Sequence, residues 1–295
     1  MGKKSKAKQK ASKSITHVQE ALDQYFIDMD QVQNDPIFGI NPESGYKFID
    51  QLLCGKNAPR FSIISVPENY WTTALGVSII AALTGQFNRS IGYFSLNISS
   101  SYFTGVLLSI VADVDPYLMR SGRLPSERWP DLATASRDLV AADLYIDDTH
   151  PLTVKAFRRQ ALKMIKKSKI DLFVIDNLQF ILCKKPFKNK ARNYQKICQS
   201  LKDISEELSV SILLMSEFSG KVDPDDIDVT NDCRSLPFLQ DFGKIPDAEL
   251  CLIPGERDGN YRAYNLHICR NREGITGTVK LKQNLINSGF KDSKS

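Results

Sequence analysis

The sequence predicts an α/β fold, a mostly parallel, twisted sheet covered by helices on both faces and extended at one edge by antiparallel strands. Two observations carry this expectation. Between residues 61 and 215 short apolar runs alternate with amphipathic stretches, the pattern of strands that are each crossed back over by a helix. Three further runs then follow one another with only glycine-containing turns between them, as in an antiparallel meander. A chain of 295 residues buries a core for one such domain without help from metals or disulfides.

Taken in order, the first 14 residues hold Lys3, Lys4, Lys6, Lys8, Lys10 and Lys13 with no acid among them. These six charges exceed the formal +5 of the whole chain, so the basic character is local. Residues 1–14 read as a disordered, solvated tail, with nucleic-acid contact as the alternative reading. Next, Ile15, Val18, Leu22, Phe26, Met29 and Val32 recur at steps of three and four, which marks an amphipathic helix within a linker spanning 15–38. Two prolines and two glycines between Asn34 and Gly45 break it. The principal domain is expected over 39–290.

Within that domain Phe61 to Val66, Ile91 to Leu96, Leu144 to Ile146, Leu172 to Ile175 and Ile212 to Met215 are the buried-strand candidates. Helices are expected around Thr73 to Leu83, Thr153 to Lys167 and Tyr194 to Leu208. The last shows Tyr194, Ile197, Leu201, Ile204 and Leu208 in strict periodicity. Glu249 to Ile253, Ala263 to Cys269 and Thr278 to Lys282 form the expected antiparallel extension.

Composition excludes several classes. Six cysteines (Cys54, Cys183, Cys198, Cys233, Cys251 and Cys269) are scattered with no Cys-x-x-Cys pair and no apolar signal segment before them. They read as reduced thiols of a cytoplasmic protein. Met1-Gly2 lacks the Ser or Thr that acylation wants at position 6, which is Lys6. The longest apolar stretch, Ala74 to Leu83, is half a bilayer span and contains Ser78, so no membrane partner is expected.

Open sheets of this kind bind ligands beyond the carboxyl ends of their strands. The first strand runs through Ser65-Val66-Pro67-Glu68-Asn69-Tyr70-Trp71-Thr72 into a helix, the placement and length of a phosphate-binding loop, G-x-x-x-x-G-K-[ST]. Of the four defining positions only Thr72 conforms. Alone, the segment is an ordinary strand-to-helix turn.

Other segments change that weighting. Gly45-Tyr46-Lys47-Phe48-Ile49-Asp50 with Gly55 resembles the "GF.DLD…GL" entry to the carboxyl-terminal domain of DnaB-type replicative helicases. Tyr93-Phe94-Ser95-Leu96-Asn97 is similar to that family's "IFSLEM", and Ser121-Gly122-Arg123-Leu124 followed by Trp129 to "TGRL…W". Tyr145 to Thr149 resembles "IYIDDT", Leu172 to Gln179 resembles "LIIIDYLQ", Ser216 to Ser219 resembles "SQLS", and Gly274 to Gly277 resembles "GPTG". Each motif is weak by itself. Their order and spacing from Gly39 to Gly277 identify a resemblance over roughly four-fifths of the chain, an extent set by domain-sized matching rather than by one signature.

The resemblance implies a RecA-like domain, ATP and Mg²⁺ as cofactors, single-stranded DNA, and a ring made with itself or with a competent DnaB-type helicase subunit. It assigns Thr72 and Asp176 to the magnesium side and Ser65, Tyr70, Trp71 and Thr72 to the phosphate loop. The family's lysine position is Trp71, whose indole offers a phosphate no charge, and the glycine before it is Tyr70, which disfavours a positive φ. Glu68 adds a negative charge there. The water-polarising glutamate falls on Asn97, which has no basicity, and a γ-phosphate-sensing glutamine falls on Glu217. The family's "KQR" segment, which reaches a neighbour's ATP, is Arg270-Asn271-Arg272. Its arginines keep charge and bidentate donors; the plainer reading is a pair of solvent-facing arginines on an edge strand.

For DNA, the family's "LRESG" loop is matched by Leu239-Gln240-Asp241-Phe242-Gly243, with Gln240 where the arginine belongs and Lys244 following. A second cluster, Lys184, Lys185, Lys188, Lys190 and Arg192, lies after the Asp176 strand near Phe187 and Tyr194. It is either a solvated loop or a track for one strand by charge and stacking. The expectation is a DnaB-like helicase-domain protein of DNA replication, a catalytically degenerate ring or accessory subunit. An active ATP-dependent helicase with an aberrant phosphate loop is the rival, and a regulator that caps or poisons a ring is the third reading. The family's primase-binding domain is expected to be absent, since few residues precede the linker.

Overall fold

A computed structural model describes residues 60–67, 72–86, 89–184, 186–218, 237–272 and 276–293, together with Val18, Gln19, Leu22, Asp23, Phe26 and Ile27. The lysine-rich tail, the 45–55 entry motif, and Glu68 to Trp71 of the candidate phosphate loop lie outside the described residues. Lys185, Ser219, Gly274 and Ile275 lie outside them too. Of the linker, the six described residues are helical, and Val18, Leu22, Phe26 and Ile27 are about half exposed or more.

In chain order the domain runs β1 (Phe61–Pro67), α1 (Thr72–Gln86), β2 (Ile91–Ser95), α2 (Ser100–Val111), α3 (Pro116–Arg120) and α4 (Trp129–Ala141). It continues with β3 (Leu144–Asp147), β4 (Leu152–Thr153), α5 (Val154–Ile165), β5 (Leu172–Asp176), β6 (Ile181–Leu182), α6 (Lys190–Leu208) and β7 (Ser211–Phe218). Last come α7 (Pro237–Gln240), β8 (Ala248–Asp258), β9 (Tyr261–Asn271), β10 (Gly277–Asn284) and β11 (Phe290–Asp292). Nine strands form one sheet in the order β11-β10-β9-β8-β1-β7-β5-β2-β3. Pairings from β8 through β1, β7, β5 and β2 to β3 are parallel, and those among β8, β9, β10 and β11 are antiparallel. The predicted fold class is the observed one.

The period of two along each central strand builds two cores. Ile64, Val66, Tyr93, Val174, Leu213 and Met215 meet α1 and α2 on one face. Ile63, Phe94, Phe173, Ile175, Ile212 and Leu214 meet α5 and α6 on the other. Every residue of β1, β2 and β5 is buried, as strands covered on both faces must be. One glycine is dictated by packing: a Cβ on Gly92 would lie 2.4 Å from the Phe173 ring. Caps fix the helix starts, with Ser99, Asp115, Thr153 and Asn189 accepting from backbone N–H groups of α2, α3, α5 and α6. Among the described residues no helix is long and apolar enough to cross a membrane.

Candidate functional site

The parallel strands bring Ser65 of β1, Asn97 just past β2, Asp176 of β5 and Glu217 of β7 to one edge of the sheet. Register sets their neighbourhood, with Ser65 opposite Ser216 and Val66 opposite Glu217, and with Ser95 opposite Asp176. Thr72 opens α1 directly above. Asn97 is exposed, whereas Ser65, Thr72 and Asp176 are buried.

Side chains at this edge form two hydrogen-bonded groups, one around Glu217 and one around Asp176. Thr72 Oγ1 donates to Glu217 Oε1 at 3.0 Å, and Asn177 Nδ2 donates to the same oxygen at 3.0 Å. Gln179 grips the Glu217 backbone from both sides, donating to its carbonyl at 2.6 Å and accepting from its N–H at 3.1 Å. Asp176 Oδ2 accepts from Thr73 Oγ1 at 2.6 Å and from the Tyr93 hydroxyl at 2.8 Å, while Oδ1 and the Ser65 hydroxyl are buried without a hydrogen-bond partner. Burial pushes the Asp176 carboxyl above its ordinary range; the Thr73 and Tyr93 hydrogen bonds oppose that, and the Glu217 charge adds to it. Burial, then the Asp176 charge, raises the Tyr93 phenol as well. Tyr93, Thr73, Asn177 and Gln179 were missed as members of the site by sequence reasoning. Consecutive threonines opening a helix and polar residues following the Asp176 strand were the available signal.

The arginines stand at the other end of the strands. Arg270 ends β9 opposite Glu249, at the start of β8, and Asp247 just before β8 accepts from the Phe61 N–H that begins β1. β9 is not an edge strand, being flanked by β8 and β10. Nor do both arginines face solvent. The Arg270 side chain is 19% exposed and pairs with Glu249 at 3.4 Å, whereas the Arg272 side chain is 62% exposed and lies 3.6 Å from Asp247.

The two basic segments proposed for DNA converge along α6. Burial raises the Asp241 carboxyl and the Lys190 ammonium opposes that rise, so the loop after α7 faces the first turn of α6. Gly243 has the Gln195 amide beside it, and Lys202 Nζ donates to Ile245 O at 2.9 Å and Asp247 Oδ1 at 2.6 Å. Lys184, Lys188, Lys190, Arg192, Gln240, Gly243 and Lys244 are exposed. Lys190 lies 5.4 Å from the Tyr194 ring and Lys196 5.4 Å from that of Phe187. A cleft of about 260 Å³ opens between the loop and the arginine strand, lined by Leu239, Gln240, Gly243, Lys244, Glu249 and Arg270.

A model of the DnaB-like helicase C-terminal domain matches residues 41–292. The chain belongs to this family. It is 24% identical over 286 residues to the replicative DNA helicase DnaB of Geobacillus stearothermophilus, covering 93% of this chain and 62% of that protein. It is 29% identical over 200 residues to the DnaB of Rickettsia conorii, covering 64% of this chain and 40% of that protein. The chain therefore spans between 40% and 62% of the length of these curated relatives. Among solved structures, an isolated ATPase domain superimposes with a TM-score of 0.73 at 16% identity, covering 95% of this chain and all of that one. A DnaB-like replicative helicase solved for its interactions with primase gives a TM-score of 0.73 at 18% identity, covering 95% and 68%. At such identities the likeness concerns the fold, which is that of RecA-like DnaB ATPase domains.

Proposed function

We propose that this DnaB-like helicase domain acts in DNA replication as a catalytically degenerate ring or accessory subunit, binding single-stranded DNA and a competent helicase subunit. One observation carries the reading: the Thr72 hydroxyl, the group that family resemblance assigns to Mg²⁺, donates to the carboxylate of Glu217. A triphosphate with its metal needs that hydroxyl, a lysine and a nest of backbone N–H groups at the same place. Here the hydroxyl is engaged by an internal anion, and Trp71 and Tyr70 stand at the lysine and glycine positions. Asp176, with one buried oxygen lacking a partner, suits a metal. The phosphate half does not fit, since a carboxylate repels the γ-phosphate that a glutamine would sense.

Position supports a role in trans for the arginine segment. Arg272 sits at the strand end opposite Thr72, Asp176 and Glu217, so one copy of the chain does not bring both half-sites to the same ligand.

The test is steady-state ATP hydrolysis with and without single-stranded DNA. Loss of the lysine and the water-polarising glutamate predicts turnover at least about 10³-fold below a competent family member, their effects not multiplying. A turnover of about 1 s⁻¹ or faster, within the typical range of enzymes and abolished by Asp176→Ala, would establish the active-helicase reading instead.

A further inference from the structure

Arg270 and Arg272 occupy the two basic positions of one motif, yet the fold treats them differently. We infer that Arg270 is a positioning residue that clamps the root of the 239–244 loop, and that Arg272 alone is the arginine offered to a neighbouring subunit. The guanidinium of Arg270 turns back into its own chain. One nitrogen, Nη1, meets Glu249 Oε1 at 3.4 Å, and the other, Nη2, donates to the Lys244 carbonyl at 3.1 Å. Glu249 is an acid at 3% exposure inside the apolar run Ala248 to Ile253, so its charge demands a cation at that place. The register of β8 and β9 supplies one, since Glu249 lies directly opposite Arg270.

The same loop root is held from its other side. Lys202 of α6 donates to the Ile245 carbonyl and to Asp247, and the Arg272 N–H donates to the Asp247 carbonyl at 2.9 Å. The segment 244–247 is thus fastened at three carbonyls, those of Lys244, Ile245 and Asp247, between α6 and the end of β9. The planar fork of Arg270 meets Glu249 and the Lys244 carbonyl with two different nitrogens, a fixed geometry that a single ammonium at this position does not reproduce. Chemistry therefore separates the two roles. A group that reaches a phosphate across an interface needs charge, and the family motif "KQR" itself places lysine at the position of Arg270. A clamp on Glu249 and the Lys244 carbonyl uses two divergent donors, unlike Lys202, whose one ammonium reaches both of its acceptors.

The substitution that tells them apart is Arg270→Lys, which keeps the charge beside Glu249 and so preserves the fold. Arg270→Ala combined with Glu249→Gln removes the clamp without stranding a buried charge. Hydrogen exchange on the full chain, without nucleotide or DNA, should show faster exchange for amides 239–247 in both variants and no change in Arg272→Lys. Binding of a fluorescent oligo-dT rests on the proposed function. It should weaken about tenfold in Arg270→Lys, the worth of one charge-assisted hydrogen bond, with an unchanged salt slope because no charge is lost. Unchanged exchange at 239–247 in both Arg270 variants overturns the clamp, whatever the DNA result. Wild-type protein that binds no oligo-dT overturns the DNA part of the proposed function and leaves the exchange measurement to decide the clamp.

Discussion

Asp176 and Glu217 lie at the ends of the adjacent strands β5 and β7 at one sheet edge, and each is held by hydroxyl or amide donors rather than by a cation. Asp176 is the more exposed to consequence, because one of its oxygens is buried without a partner while the other accepts from both Thr73 and Tyr93. Tyr93→Phe removes one of those donors from a buried carboxylate. It is expected to lower stability by about 1–3 kcal/mol, read as a shift in the urea midpoint at constant slope. The pH dependence has a definite sign. Since burial raises the folded pKa of Asp176, the folded state holds the proton more tightly, and the contribution of this group is fully present below the unfolded value of about 3.9. It is lost as pH rises through the raised folded value. Asp176→Asn, which needs no proton to be neutral, should therefore gain stability relative to wild type on going from about pH 4 to neutral pH. A constant difference between the two proteins across that range would contradict it. Thr72, Asp176 and Glu217 were legible as site positions because each ends or follows a motif-bearing strand. Tyr93 was legible only as part of a strand: it is fully buried, and its reach to Asp176 passes Gly76, where a Cβ would lie 3.3 Å from the phenol oxygen. A contact of that kind leaves no periodic trace in a sequence. Glu249 left a clearer one, an acid within an apolar strand.

At the scale of elements, the strands that sequence located best are those buried along their whole length. β1, β2 and β5 coincide closely with their apolar runs. β8 and β9 extend beyond theirs, to 11 residues each, because their shared hairpin projects into solvent and Gly255 to Tyr261 is not apolar. α2, α3 and α4 were not singled out. Their only buried residues are Phe103, Leu107 and Ser109 in α2 and Leu132 and Ala135 in α4, too few to draw a strong stripe. β4, β6 and β11 are two or three residues long and owe their existence to pairing, which is a tertiary property. For α6 both the apolar stripe and the start are written in the sequence. Asn189 accepts from the Arg192 N–H at 3.3 Å, and that first turn carries Lys190, Arg192 and Tyr194. Asn189→Ala should cost about 1 kcal/mol. Its amides at 190–193 should exchange faster, and oligo-dT affinity should fall with it if this turn meets the strand. Retained affinity alongside faster exchange would assign the 184–192 cluster to solvent.

For the molecule as a whole, the proposed function turns on the difference between the two ends of the parallel strands, the proposed cis and trans half-sites. If the lysine-rich tail engages phosphates, removing residues 1–14 should flatten the dependence of single-stranded DNA affinity on salt by up to about 0.7 per lysine lost. An unchanged slope would leave any affinity to the segments along α6. The cis edge holds Thr72 fastened to Glu217, whereas Arg272 at the other end of the strands keeps a largely exposed guanidinium. A ring built only from such copies would join an arginine to a phosphate loop with no lysine at every interface. An arginine supplied in trans to an intact loop is worth about 10³–10⁵ in turnover, so its effect would be large where a competent neighbour is present. In the linker, Val18, Leu22 and Ile27 are about half exposed or more, apolar side chains that would suit the proposed contact with such a neighbour. Titrating this protein into a competent DnaB-type helicase should therefore change ATP turnover in a way that Arg272→Ala removes and Arg270→Lys leaves in place. Identical curves for wild type and Arg272→Ala, or failure of the two proteins to co-migrate, would reduce Arg272 to surface charge and leave a stand-alone DNA-binding role as the better account of this domain.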